Sequence, residues 1–372
     1  MPRTGVGTRP GPMNEERGAD MTTVRKDVET PEAAGPSTDT AAGTAADPAE
    51  KAARRRPTGR LEAMALPLTW LAVIIVFSIV ETDTFFTSAN AASILASQAV
   101  LVVVTLGLIV PLIAGDFDLS IGAVVGMSAL IIAILNAQHG WSIWAAILVA
   151  LIAGIVVGLV NGALTVLLGI DSLIVTLGMS TLLAGVALWI SGANTITGVD
   201  QTLIDIVISY RLFGIPLEFY YAIIFALILW YVFAFTPLGQ RLLVVGRNRE
   251  VARLSGMRVS TLRIGALVTS AFVAALGGVL IAGTSGSAGP TTGLDLLLPA
   301  FAAAFLGSTT IKPGRFNPWG TVIAVYFLVT GITGLQLLGL QSFVQNIFYG
   351  GALILAVSFS QIIRRRRMKR GV

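Results

Sequence analysis

The sequence predicts an all-α polytopic membrane protein with about ten transmembrane helices and both termini in the cytoplasm. Three observations carry that reading. Of 372 residues, 55% are hydrophobic and only 12% are charged, against roughly 25% charged in an ordinary soluble domain. The mean hydropathy is +0.82, so too few polar side chains remain to cover a soluble surface. Beyond residue 60 the chain is a succession of apolar runs. Many approach the ~20 residues that a helix needs to cross the hydrocarbon.

Residues 1–60 differ from the rest. Their only large aliphatic or aromatic residues are Val6, Val24 and Val28. Such a segment buries too little apolar surface to offset its ordering entropy, which predicts a disordered cytoplasmic tail. No apolar stretch follows its early charges as a secretory signal requires, and Met21 serves equally well as a start.

Residues 61–363 form the expected transmembrane domain. Spans are predicted near 62–80, 92–113, 119–136, 142–168, 173–192, 218–235, 263–283, 293–310, 318–338 and 343–363. The runs are continuous and rich in Ala, Leu, Ile and Gly, whereas a membrane barrel would alternate polar and apolar residues. Gly154, Gly158 and Gly162 recur on one helix face, which predicts a close helix–helix approach.

The few charges set the orientation. Arg241, Arg247, Arg249, Arg253, Arg258 and Arg263 share one loop, and Lys312 with Arg315 lie in another. Arg54, Arg55, Arg56 and Arg60 precede the first span, and a basic tail occupies 364–372. The positive-inside rule places all four groups in the cytoplasm, and an even number of spans satisfies it. Arg211 is then the one cation expected on the opposite side, beside Glu81, Asp83, Asp200, Asp205 and Glu218. His139 falls there too and reads as an ordinary loop histidine.

Composition also excludes chemistry. There is no cysteine and one histidine, so disulfides, thiolate nucleophiles and Cys/His zinc sites are ruled out. Neither Lys26, Lys51, Lys312 nor Lys369 ends a Walker A pattern. No catalytic constellation, metal site or cofactor is expected, and any ATP must be bound by another chain.

The cytoplasmic loop, 236–262 in all, carries a local helix signal. Asn248 is a good N-cap, Glu250 suits the first turn, and Gly256 suits a left-handed C-terminal stop. A helix of about two turns is expected between them. Val251 and Leu254 form a small apolar ridge flanked by Arg249, Glu250 and Arg253. Such a knob fits a groove in a cytoplasmic partner. The competing reading is a juxtamembrane loop that only sets topology and touches lipid headgroups.

The stretch G-R-N-R-E-V-A-R-L-S-G-M-R-V at 246–259 resembles the cytoplasmic coupling segment of permease subunits of ribose-type ABC importers. G-D-F-D-L-S-I-G at 115–122, L-I-V-T-L-G at 173–178 and G-L-D-L-L-L-P-A-F-A-A-A-F-L-G-S-T at 293–309 resemble further motifs of that family, in order. Asp171 stands where the family usually has proline. Its late Gly-Gly-Arg-Gly turn is here Lys312, Pro313, Gly314, Arg315. The resemblance implies a bacterial plasma-membrane permease for a simple sugar or related polar solute. It implies cytoplasmic ABC ATPase subunits, an extracytoplasmic solute-binding protein and a second permease subunit, a homodimer being expected. Lipid surrounds the assembly and nucleic acid has no part in it. The coupling surface is then Arg247, Asn248, Arg249, Glu250, Arg253, Ser255 and Gly256.

Candidate pathway or gate residues are Asp116, Asp118, Ser120, Thr176 and Asn194. A carboxylate at the centre of a membrane helix costs about 2.5–3.5 kcal/mol, so Asp116 and Asp118 should sit at a helix boundary or face water. Asp118 or Ser120 can cap the following helix, and Asp171 and Asp295 read as caps too. V-T-L-G occurs at 104–107 and again at 175–178, a weak hint of an internal repeat.

Three other readings stay open at this stage. An ion-coupled secondary transporter would use Asp116, Asp118, Asp171 or Asp295. A branched-chain amino acid-type ABC permease differs mainly in its solute, and D-L-S at 118–120 argues for the sugar type only by resemblance. A membrane scaffold would not explain the polar residues inside the spans.

Overall fold

The computed structural model describes residues 58–369, with side chains described over 63–358. Among these residues, eight helical stretches are long and apolar enough to cross a membrane, with Ser88–Ala114 taken as one. Each coincides with one of the expected spans. The remaining two expected spans appear as shorter apolar helices, Leu294–Gly307 and Phe343–Ser358. The expected tail lies outside the described residues up to residue 57, and helix α1 (Thr58–Val80) begins inside its last few positions.

The second expected span is two helices, α2 (Ser88–Ser97) and α3 (Ala99–Ala114). Gln98, at φ −108° and ψ 3°, breaks the run between them. Every residue of α3 is buried, so this wholly apolar helix forms the central column. Gly115, at φ 80°, ends it in the left-handed region that a residue without a Cβ adopts cheaply. Residues 116–120 form a short break before α4 (Ile121–Ala133), whose last part widens into a π turn over Ile134–Gln138. The chain returns through α5 (Ile143–Val166) and α6 (Ser172–Ser191). Asp171 caps α6 by accepting from Leu173 N at 2.8 Å, as its sequence position predicts.

A polar segment follows: strand β1 (Ile196–Thr197), helix α7 (Gln201–Ile204), a π turn (Asp205–Ser209), and strands β2 (Arg211–Leu212) and β3 (Ile215–Pro216). β2 and β3 pair antiparallel, Arg211 opposite Pro216. Their two-residue turn places Phe213 at φ 52° and Gly214 at φ 82°. Two successive positive φ values match the right-handed strand twist, which is why Asn-Gly usually fills such turns. Phenylalanine in the first position carries a strain of roughly 1–2 kcal/mol.

The second half holds α8 (Leu217–Phe235), α9 (Pro237–Arg247), α10 (Arg249–Leu254) and α11 (Val259–Ser285). Strand β4 (Ser287–Ala288) pairs antiparallel with β1. A 3-10 turn (Leu294–Leu296) leads into α12 (Leu297–Gly307), then α13 (Pro318–Leu337) and α14 (Phe343–Lys369). Asp295 therefore sits within a 3-10 turn whose N-cap is Gly293, not at a cap. The turn's positive-φ glycine, not the carboxylate, starts that helix.

Helix α11 packs along α3, α4 and α5. Small residues line these seams. A Cβ at Gly154 would lie 2.6 Å from Ala275 Cβ, and one at Gly158 would lie 2.6 Å from Val268 Cα. At Gly162 the nearest atom would be Ile264 Cγ2, at 3.0 Å. The glycine face read from the sequence is thus a backbone-to-backbone seam, where dispersion contacts replace the hydrophobic drive that lipid does not supply. On the other flank, Trp70 Nε1 donates to Thr330 Oγ1 at 2.9 Å and ties α1 to α13.

Candidate functional site: the break at 115–120 and the cytoplasmic knob

The knob forms as its local chemistry dictates. Asn248 Oδ1 accepts from Glu250 N at 3.0 Å and Val251 N at 3.1 Å, which satisfies two orphan amides of α10. Gly256, at φ 77°, stops the chain beyond it. Ser255 Oγ donates to Val251 O at 2.8 Å. Ala252 is fully buried beneath the knob, while Val251 and Leu254 are 51% and 81% exposed. The exposed ridge thus faces away from the bundle. Glu250 and Arg253 approach to 3.5 Å, but both are well exposed, so that pair adds little. Arg247 ends α9 and is exposed.

Arg249 turns inward instead. Its Nη2 donates to Gly115 O at 2.8 Å and to Asp116 Oδ1 at 3.0 Å. Arg263, on α11, grips the same carboxylate through Nε to Oδ2 at 2.7 Å and Nη2 to Oδ1 at 2.6 Å. Asp116 is 1% exposed and the Arg263 side chain 14%. Asp116 is therefore an anion held between two cations, one from the knob and one from the bundle. Arg263 was expected as one of the loop cations. The structure sets it in the second turn of α11, because that helix starts at Val259.

The break is anchored on its other side by α6. Phe117 N donates to Ser172 Oγ at 3.0 Å, and Leu119 N donates to Thr176 Oγ1 at 2.9 Å. Thr176 donates in turn to Ser172 O at 2.7 Å. Asp118 Oδ1 accepts from Ser120 N at 3.0 Å and from Ser120 Oγ at 2.6 Å. It thus closes a turn ahead of α4, whereas Ser120 itself makes no capping bond. Asn161 Nδ2 donates to Ser120 Oγ at 2.9 Å. Burial pushes the Asp118 carboxyl above the usual carboxylate range, with Ser120 and Ser270 pulling the other way. Asn161 Oδ1 and Thr165 Oγ1 are buried without a hydrogen bond.

The Phe117 ring stacks on Phe301 at 6.4 Å, Phe301 on Phe305 at 6.4 Å, and Phe305 meets Phe316 edge-on at 5.4 Å. A cavity of about 550 Å³ lies between this row and the knob, bordered by Asp116, Gly246 and Arg247. The structure so brings Asp116, Asp118, Ser120 and Thr176 together. Asn194 is not among them. It is exposed, and its Nδ2 donates locally to Gly192 O at 2.9 Å. No group of three or more His, Cys, Asp or Glu capable of holding a metal exists among the described residues.

A bundle of membrane-length helices, broken by a clamped polar turn beside a capped helical knob, defines a multi-pass helical membrane protein. The chain belongs to the family described as the branched-chain amino acid transport system / permease component, whose profile matches residues 90–357. It is 28% identical to the D-allose transport system permease protein AlsC of Escherichia coli K12, over 79% of this chain and 90% of that protein. It is 30% identical to the autoinducer 2 import system permease protein LsrD of Photorhabdus luminescens, over 68% and 78%. It is 29% identical to the ribose import permease protein RbsC of Bacillus subtilis 168, over 78% and 90%. No solved structure matches the chain. These relatives are transport components and not enzymes, and the chain is placed with them as a multi-pass inner-membrane permease.

Proposed function

We propose that this protein is the permease subunit of an ATP-driven importer for a simple sugar or a related polar solute. Relatives named for D-allose and ribose support that reading over a branched-chain amino acid. In this reading two copies form the membrane path, with ten spans and cytoplasmic termini. Two ATPase subunits drive the path from the cytoplasm, and a binding protein delivers solute from outside.

One observation carries the mechanism: Arg249, at the first position of the knob, hydrogen-bonds the break at Gly115 and Asp116. The exposed ridge of Val251 and Leu254 seats in the ATPase. Arg247, Asn248, Glu250, Arg253, Ser255 and Gly256 shape that seat. When the ATPase dimer closes, the knob moves and Arg249 carries the movement to Asp116. The break then shifts against Ser172 and Thr176 on α6 and re-aims Phe117. Asp116, Asp118, Ser120 and Thr176 work as a hinge rather than as solute ligands, because Asp116 is engaged by Arg249 and Arg263, Asp118 by Ser120, and Thr176 by Leu119 N and Ser172 O.

The test is reconstitution of the permease with its ATPase and binding protein in proteoliposomes. Arg249→Ala should leave ATP binding intact and cut solute uptake per ATP hydrolysed at least tenfold. Equal coupling in that variant and wild type would exclude this route.

A further inference from the structure

The polar segment between α6 and α8 builds a second cavity, at the end of the bundle away from the knob. Its volume is about 830 Å³, within the roughly 300–1,000 Å³ usual for small-molecule sites. Ser88, Ala92, Ser93 and Ser97 on α2 form one wall, and small side chains there leave the space open. Glu218 lies opposite, with Arg211 and Phe213 on the β2–β3 hairpin.

Glu218 is the unexplained group. The residue is 3% exposed, and its Oε2 is buried without a hydrogen bond. Among the described residues it enters no ion pair, although Arg211 lines the same cavity. A buried carboxylate without donors is costly. An Arg211–Glu218 pair would be the expected arrangement if the role were structural, and among the described residues no such pair forms. The hairpin tip is unusual as well. Phe213 is 90% exposed and occupies a left-handed position that glycine or asparagine normally fills. Its ring is displayed at the rim and packs on nothing beneath it.

We infer that this cavity is an extracytoplasmic subsite for a polyhydroxylated solute, with Glu218 as the acceptor for paired hydroxyls. The two oxygens of Glu218, one of them buried without a partner, can accept from neighbouring hydroxyls on a sugar ring. Serine hydroxyls on α2 donate or accept along the ring's edge. Phe213 offers an apolar face to its C–H side, and Arg211 guards the mouth. The inference rests on the importer reading and names where solute is first held after release by the binding protein.

The complete importer in proteoliposomes tests it, with radiolabelled D-ribose, D-allose and D-xylose as probes. Glu218→Gln should lower uptake of the transported probe at least tenfold at saturating loaded binding protein, with ATPase turnover within twofold of wild type. Glu218→Asp should restore part of that uptake. Because the chain contains no cysteine, Ser93→Cys gives a single thiol for an impermeant maleimide. The transported probe should slow its modification at least fivefold with Glu218 present and not with Glu218→Gln. Unchanged uptake per ATP in both Glu218→Gln and Glu218→Ala would overturn the subsite and leave the importer reading standing. Lost stimulation of ATPase by the binding protein would overturn it too and assign this rim to docking. Failure of wild type to move any of the three sugars would remove the sugar reading, and this inference with it.

Discussion

Arg263 and Asp116 lie 147 positions apart in sequence and meet through two hydrogen bonds of 2.7 and 2.6 Å. Their union is almost closed to solvent, so its two halves depend on each other. Removing one partner of a buried pair costs about 3–5 kcal/mol where the other charge is left uncompensated, and here Arg249 still reaches Asp116 at 3.0 Å. Arg263→Met, which removes two of the three side-chain hydrogen bonds to Asp116, should therefore destabilise the permease by less than that full cost and lower its yield. A thermal unfolding scan in detergent checks this. Arg249, with 45% of its side chain exposed, should behave differently: its loss should spare stability and impair coupling. Equal melting losses in the two variants would contradict the assignment of separate roles.

Asn248 supplies the acceptor for two amides at the start of the knob. Asn248→Ala should cost about 1 kcal/mol of local stability. Because the helix is only six residues long, that loss should fray it. Amide hydrogen exchange over residues 249–255 should rise several-fold, while exchange in α3 stays unchanged.

Gly246 faces the backbone at Ile113 so closely that a Cβ would overlap the Ile113 carbonyl oxygen. Gly246→Ala must push α9 away from the end of α3, at a cost of about 1–3 kcal/mol for overpacking. Transport should fall together with stability. A variant at Gly265, where a Cβ would meet nothing within 4 Å, should be silent in both assays.

Burial holds the Asp118 pKa above its unfolded value. The sign follows from linkage: the folded state binds the proton more tightly than the unfolded chain does. Stability from this group is complete below the unfolded value of 3.8 and declines as pH rises through the raised folded value. Asp118→Asn keeps an acceptor for Ser120 and has no charge to bury. Its stability should vary less with pH than that of wild type above pH 4, and chemical unfolding at several pH values measures the difference. An identical slope for both would place the carboxyl in water.

The features legible in the sequence are those whose cause is local. Asn248 and Gly256 mark the knob because capping is decided within a few residues. Gly154, Gly158 and Gly162 mark a seam because one helix face repeats every three to four positions. The partners of each were not legible. Nothing near Asp116 in sequence points to Arg263, and a loop arginine and a helix arginine look alike until the start of α11 is known. Gln98 carries no breaker signal, so α2 and α3 read as one span. Asn194 reads as a polar pathway candidate, and its side chain hydrogen-bonds Gly192 O in its own turn. Glu218 was placed on the outer side by charge counting alone. Its seclusion arises from α2 folding over the start of α8, which no local pattern encodes.

The glycine seam along α5 and α11 has a mechanical meaning. Helices whose backbones already touch have no clearance in which to slide past each other, and packed interiors resist deformation. In the proposed reading α5 and α11 then travel as one piece. Opening one side of the membrane and shutting the other falls, in that reading, to joints outside this pair, such as Gly169 and Gly256 at its ends and Gly115 between α3 and α4, which hold positive φ angles. The proposed coupling thus makes the permease a stiff lever mounted on a few pivots, in which a small push on the knob would reach the far end through the α5–α11 pair.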